Sequence, residues 1–318
     1  MVRTLGILAG LVLVFVAAWS FGHGAWSYVT TPKEENLTKE FHVEPKGLHL
    51  ASDGPFGKYD RQQLQRGFQV YKEVCSSCHS LNLVAFRNLE EIGYNEAEVK
   101  AIATNWQIEV PDVDPKTGDP KSRKAISADH FPSPFQNETA ARAANNNALP
   151  PDLSLITKAR EGGAAYVYSL LTGYKDPKTY RNEAGKPVPA DLQPSGTLHF
   201  NPYFANVNIA MPPPLKSDGQ VTYAPGNEVK PTVDQMAKDV SAFLTWTAEP
   251  RLENRHRTGL ATVIFLLFLT MLGYFAYQNV WHGPSSRAVR RTGPLDPENM
   301  AKRDAADAEA GVPSAPSA

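Results

Sequence analysis

The sequence predicts a mainly α protein, a helical head with long loops followed by one C-terminal transmembrane helix. Three observations predict it. Two capping-box pairs, Asp60 with Gln63 and Thr232 with Gln235, each open a stretch of apolar residues at helical spacing. The run from Thr258 to Trp281 carries no charge and is long enough to cross a ~30 Å hydrocarbon core. No strong alternating strand pattern and no internal repeat is visible along the chain.

At the N-terminus, Arg3 supplies a positive start and Leu5 to Ala18 is apolar without charge, the layout of a secretory signal over residues 1–24. Ala18-Trp19-Ser20 and Gly22-His23-Gly24 are candidate cleavage patterns. Neither is a clean Ala-x-Ala, so an uncleaved anchor stays open. The segment lacks the Arg- and Ser-rich character of a mitochondrial transit peptide, which favours a bacterial exported protein. Residues 25–257 then form the periplasmic head. Its first helix carries Leu64, Phe68, Tyr71 and Cys75 on one face, and a second is expected from Tyr166 to Leu171. A third presents Met236, Val240, Phe243 and Leu244 until Glu249-Pro250 stops it. Pro111 to Pro134, Pro177 to Pro194 and Pro212 to Pro231 are rich in Pro, Gly and Asp and read as loops, with no site assigned to Asp112–Ser127 or Pro177–Pro194.

A buried globular helix is the alternative for residues 258–281, but such a helix is rarely apolar on every face for this length. Arg251, Arg255 and Arg257 precede the span, and Arg287, Arg290, Arg291, Lys302 and Arg303 follow it, so local charge decides little. The export signal sets the orientation: head outside, and tail 282–318 in the cytoplasm, in line with the positive-inside tendency. This makes a single-pass protein of the bacterial inner membrane. The tail, rich in Ala, Pro and Asp, reads as disordered.

The totals exclude several classes. With 42% hydrophobic and 20% charged residues, the chain is too apolar to be disordered throughout. Lys+Arg 32 against Asp+Glu 33 gives a net charge of -1, no global field for nucleic acid. Two cysteines make at most one bridge, which excludes a disulfide-stapled scaffold.

Both cysteines fall in Cys75-Ser76-Ser77-Cys78-His79, the attachment pattern of a c-type haem. On the last turn of a helix, residues three apart face the same way, so two thiols can add to the two vinyl groups of one porphyrin. The adjacent His79 supplies the proximal ligand. A zinc site would need four closed ligands, and neither a second Cys pair nor a close His pair is present. A thioredoxin-like pair expects a preceding strand, whereas here a helix precedes.

A Met sixth ligand would mark an electron carrier. Met1 is the initiator, Met271 lies in the membrane span, Met300 lies in the tail, and Met236 sits on an apolar helix stripe. Met211 remains, in Ile209-Ala210-Met211-Pro212-Pro213-Pro214-Leu215, where three prolines stiffen the loop that presents it. A packing role is the alternative, since methionines usually fill cores.

Taken together, the residues resemble the cytochrome c1 family, the haem subunit of the quinol:cytochrome c oxidoreductase (bc1) complex. The resemblance rests on RGFQVYKEVCSSCHSLNLVAFRNL around the motif, ARAANNNALPPDLSLI from Ala141, AREGGAAYVYSLLTGY from Ala159, NPYFANVNIAMPPPL from Asn201 and MAKDVSAFLTWTAEP from Met236, followed by one membrane helix. It implies thioether bonds at Cys75 and Cys78 to one haem c, His79 as proximal and Met211 as distal iron ligand. It further places Arg160 and Tyr166 near the haem propionates, and Asn145 with the Pro150-Pro151 turn in the haem-pocket loop. Without it, Arg160 would read as a solvated charge and Tyr166 as a core aromatic.

The function so implied is one-electron transfer from the Rieske iron-sulfur protein to a cytochrome c, beside cytochrome b in the membrane, with no residue acting as acid or base. Two rivals stand beside it: a free-standing membrane-anchored shuttle to an oxidase, and a haem enzyme with an open iron site. Glu90, Glu91, Glu96 and Glu98 are candidates for docking a basic cytochrome c, with a solvated helix face as the alternative.

Overall fold

The computed structural model describes residues 2–30, 37–224 and 228–281, with isolated positions between 301 and 309. In chain order the helices are α1 (Val2–Thr30), α2 (Leu37–Phe41), α3 (Arg61–Glu73), α4 (Glu96–Thr104), α5 (Glu138–Ala144), α6 (Ile156–Ala159), α7 (Gly163–Leu171), α8 (Val233–Ala248) and α9 (Leu252–Trp281). Short 3-10 turns cover Cys75–Ser77, Phe86–Ile92 and Ala190–Leu192. Strands are confined, among the described residues, to two antiparallel hairpins, β1 (Val110–Val113) with β2 (Pro120–Arg123) and β3 (His199–Phe200) with β4 (Asn208–Ile209). The chain is mainly α, as its sequence predicts.

Contacts divide the chain into two compact units, residues 1–48 with 61–248, and residues 49–60 with 249 onward. The first is organised around α8, which packs on α3, α6 and α7 and is therefore buried on most of its faces. Its closest partner is α3. Leu64, Phe68 and Tyr71 of α3 and Met236, Val240 and Phe243 of α8 are all buried, as the helical spacing predicts. Gly67 lets the two backbones approach: a Cβ there would lie 2.0 Å from the Asp239 carbonyl oxygen and 2.7 Å from Phe243 Cβ. Phe68 centres an aromatic core, with Phe243 at 5.7 Å, Phe131 at 6.1 Å and Trp106 at 6.4 Å between ring centroids.

Two local elements depart from the sequence expectation. The stretch 111–134 is not wholly loop, because it contains most of the β1–β2 hairpin. Asp114 Oδ1 accepts the Lys116 amide at 2.8 Å, and Gly118 takes the positive φ (78°) that turns the chain back. Its strands are short and mostly exposed, so no hydrophobic alternation marks them. Helix α4 follows a complete capping box: Asn95 Oδ1 accepts the Glu98 amide at 2.9 Å, and Glu98 Oε2 accepts the Asn95 amide at 2.8 Å.

In the second unit, the Tyr59 amide donates to Glu253 Oε1 at 2.8 Å and its hydroxyl to the Glu249 carbonyl at 2.8 Å, fastening residues 49–60 to the first turn of α9. From Leu252 to Val280, α9 is long and apolar enough to cross a membrane, and its apolar window is nowhere buried by the protein. That surface is consistent with membrane anchoring. Helix α1 has the same property from Thr4 to Thr30 and runs unbroken past residue 24, where the sequence places the end of a signal. The tail expected to be disordered over 282–318 lies outside the described residues, apart from the isolated positions named above.

Candidate functional site

The Cys-x-x-Cys-His motif begins where α3 ends. The helix stops at Glu73, and Cys75–Ser77 form a 3-10 turn rather than the last α turn the sequence suggests. The Cys75 carbonyl accepts both the Cys78 amide at 3.1 Å and the His79 amide at 2.9 Å. This tight turn spans the two cysteines, with Cys78 closing it as the C-cap. Both thiols are free and half-buried. Burial, and then the neighbouring Cys78, push the Cys75 thiol up to about 12, so it is neutral at physiological pH.

His79 Nδ1 lies 2.8 Å from the Pro151 carbonyl oxygen. A carbonyl only accepts, so Nδ1 carries the proton and Nε2 keeps its lone pair. Burial lowers the imidazole pKa, with the Pro151 bond and Asp152 opposing, which favours the neutral ligand form. The surrounding chain is pinned at several points. The Tyr71 hydroxyl donates to the His79 carbonyl at 3.2 Å, and the Leu153 amide to the Ser80 carbonyl at 3.0 Å. Asp152 accepts from Ser80 Oγ at 2.9 Å, the Asn82 amide at 2.8 Å and the Ser154 amide at 2.9 Å. The Pro150-Pro151 turn is thus locked to the segment after the motif.

Met211 is half-buried and follows β4. The residue before β4, Val207, is fully buried with φ 52°, a left-handed conformation that a β-branched residue rarely adopts. It is held there by packing with Phe41, Val188 and Phe200 and by the bond from the Asn201 amide to its carbonyl at 2.7 Å. The Tyr174 hydroxyl donates to the Met211 carbonyl at 3.0 Å. Burial raises the Tyr174 pKa, with Tyr166 as the neighbouring influence. Burial also raises Tyr166, against the pull of the Arg160 guanidinium hydrogen-bonded to it. Arg160 and Tyr166 are therefore neighbours, and the Tyr174 hydroxyl separately fastens the Met211 backbone.

The other candidates have local roles. Asn145 closes α5, its amide nitrogen donating to the Ala141 carbonyl at 2.7 Å. Glu96 pairs with Lys100 at 2.6 Å and Glu98 closes the α4 capping box, so half of the acidic run serves its own helix. Sequence reading missed Tyr174 and Asp152. Tyr174 has no local signature, whereas Pro-Asp-x-Ser at 151–154 is an Asx-turn pattern that could have drawn attention to Asp152.

Among the described residues no three His, Cys, Asp or Glu side chains converge on a cation site, so the thiol pair lacks the closed donor set of zinc. Two free thiols on one turn, followed by an imidazole with its Nε2 lone pair available, fit a covalently held porphyrin. The Cytochrome C1 family profile matches residues 50–283. The chain belongs to the cytochrome c1 family. Membership implies a covalent haem c and a role in electron transfer. Cytochrome c1 of Rhodospirillum rubrum is 45% identical over 224 residues, 69% of this chain and 80% of that protein. The mitochondrial cytochrome c1 haem protein of Saccharomyces cerevisiae is 41% identical over 282 residues, 87% of this chain and 85% of that protein. A protein of Bradyrhizobium diazoefficiens named cytochrome b/c1 is 46% identical over 252 residues, 75% of this chain, which spans only 36% of that longer relative.

Proposed function

We propose that this cytochrome c1 family chain is the electron-transfer subunit of a bc1 complex, taking one electron at a time from a Rieske iron-sulfur protein and passing it to a cytochrome c. Cys75 and Cys78 would attach one haem c, and His79 and Met211 would ligate its iron. The haem supplies one-electron exchange between Fe(III) and Fe(II), and His/Met ligation favours the reduced form. The observation that carries the reading is the His79–Pro151 hydrogen bond, which fixes the tautomer and ring orientation a proximal ligand needs.

The residues have distinct tasks. Pro151 and Asp152 hold His79 and its neighbours, Tyr174 and the proline-stiffened loop hold Met211, and Arg160 with Tyr166 offers charge-assisted donors to haem propionates. Asn145 shapes the pocket loop. Two protein ligands, His79 and Met211, would leave no open iron site for substrate, which separates this reading from a haem enzyme. Helix α9 anchors the head on the periplasmic side of a bacterial inner membrane, with residues 1–24 directing export. The names of relatives support a cytochrome b partner: one joins b and c1, and another, from Candida albicans, is a catalytic subunit of the cytochrome b-c1 complex.

Solubilising the membranes in mild detergent tests the assignment. A haem band that co-migrates with cytochrome b and with quinol:cytochrome c activity is expected. A band migrating alone without that activity would instead support a free-standing shuttle.

A further inference from the structure

Asp239 lies on α8 with no exposed surface, and its carboxylate collects donors from three segments of the chain. From α3, Arg66 donates through Nε at 2.8 Å and Nη2 at 3.3 Å, and Gln63 through Nε2 at 3.1 Å. Gln235, one turn earlier on α8, donates at 2.8 Å. The last donor is the Tyr223 hydroxyl at 2.8 Å, from the loop that follows Met211. A buried carboxylate is costly unless satisfied in this way. Arg66 and Gln63 tie α3 to α8, a register that the close approach at Gly67 also fixes. Tyr223 does something else, because it ties the Met211 loop to the same point.

That loop transmits the constraint. Pro212 to Pro214 stiffen its start, and Gln220 closes its middle by accepting the Lys216 amide at 2.8 Å and donating to the Pro214 carbonyl at 2.8 Å. Val221 is fully buried, and Gln69 of α3 donates to the Thr222 carbonyl. Helix α3 therefore leads into Cys75–His79 at its end and, along its length, grips the segment that presents Met211.

We infer that Asp239 and Tyr223 are positioning residues for Met211: the buried carboxylate holds, through the Tyr223 hydroxyl, the loop carrying the sixth ligand in register with the helix that leads to the fifth. This inference rests on His79/Met211 ligation and names what keeps Met211 in place.

The test uses the full-length, haem-loaded protein in its membranes and reads carbon monoxide binding to the dithionite-reduced haem, together with the midpoint potential. A haem with both axial positions filled does not bind the gas. Tyr223→Phe removes one hydrogen bond to a charged acceptor, and about a tenfold rise in the fraction with Met211 displaced is expected. Carbon monoxide should therefore bind about tenfold faster than in the unaltered protein, with a lower potential and unchanged haem content by pyridine haemochrome. Gln69→Ala, which loosens the neighbouring grip on Thr222, should move both readouts in the same direction by less, and it carries the test if Tyr223→Phe fails to mature. Val99→Ala, buried in α4 against the Phe86–Ile92 turn, controls for general loss of stability and should leave both unchanged. If the loop variants lower the melting temperature yet match the unaltered protein in gas binding and potential, the network is only structural and the inference is overturned. Met211→Leu in the same series must bind the gas rapidly. If it does not, the ligation reading has failed, a result distinct from failure of the anchor.

Discussion

His79 and Pro151 are 72 positions apart in the chain and 2.8 Å apart in space, imidazole nitrogen to carbonyl oxygen. The bond sets which ring nitrogen is protonated and which way the ring faces, and in the proposed haem site it would lend the imidazole basicity that stabilises Fe(III). Pro151→Gly frees the turn and weakens that bond. The midpoint potential should rise by on the order of tens of millivolts, where ~59 mV is a tenfold change for one electron. Redox titration checks this, with covalent haem content expected to stay constant.

Tyr174→Phe removes the donor to the Met211 carbonyl. The expected cost is about 1 kcal/mol of stability, the net value of one such bond. Chemical denaturation, followed by the visible spectrum, measures it.

Gly67→Ala places a Cβ against the Asp239 backbone, which cannot yield without separating α3 from α8. Overpacking of this kind costs about 3 kcal/mol. A lowered denaturation midpoint, with reduced accumulation of haem-loaded protein, is the expected outcome.

Asp152 carries the pH dependence. Burial pulls its carboxyl upward, but hydrogen bonds from Ser154, Asn82 and Ser80 outweigh burial and hold its pKa below the ordinary aspartate value. A group with a depressed folded-state pKa stabilises the fold above its unfolded value and loses that contribution as pH falls through the folded one. Asp152→Asn should therefore be less stable than the unaltered protein at pH 7, and the gap should narrow below pH ~4. Thermal melts from pH 7 to pH 3 follow the difference.

The sequence made the long-range plan legible wherever one residue type has one physical use. The Cys75–His79 motif, the apolar stripes of α3 and α8 and the uncharged run in α9 are local patterns that can be read without knowing distant partners. The parts it concealed depend on partners distant in sequence. Tyr174 reads as one tyrosine among 12 until its hydroxyl is seen at the Met211 carbonyl. Asp239 lies on a helix whose apolar pattern gives no hint that a carboxylate is buried within it. Val207 is a β-branched residue in a left-handed turn, held by tertiary packing against its local preference. The β1–β2 hairpin escaped for the opposite reason, because strands this short and exposed leave no periodicity to read.

Visible spectroscopy with redox titration of Met211→Leu shows whether Met211 completes the iron ligation begun by His79. If Met211 is the second iron ligand, the reduced haem has an altered spectrum and a potential lower by on the order of hundreds of millivolts, within the ~0.8 V range that axial ligands control. A spectrum and a potential unchanged from the unaltered protein would contradict that ligation.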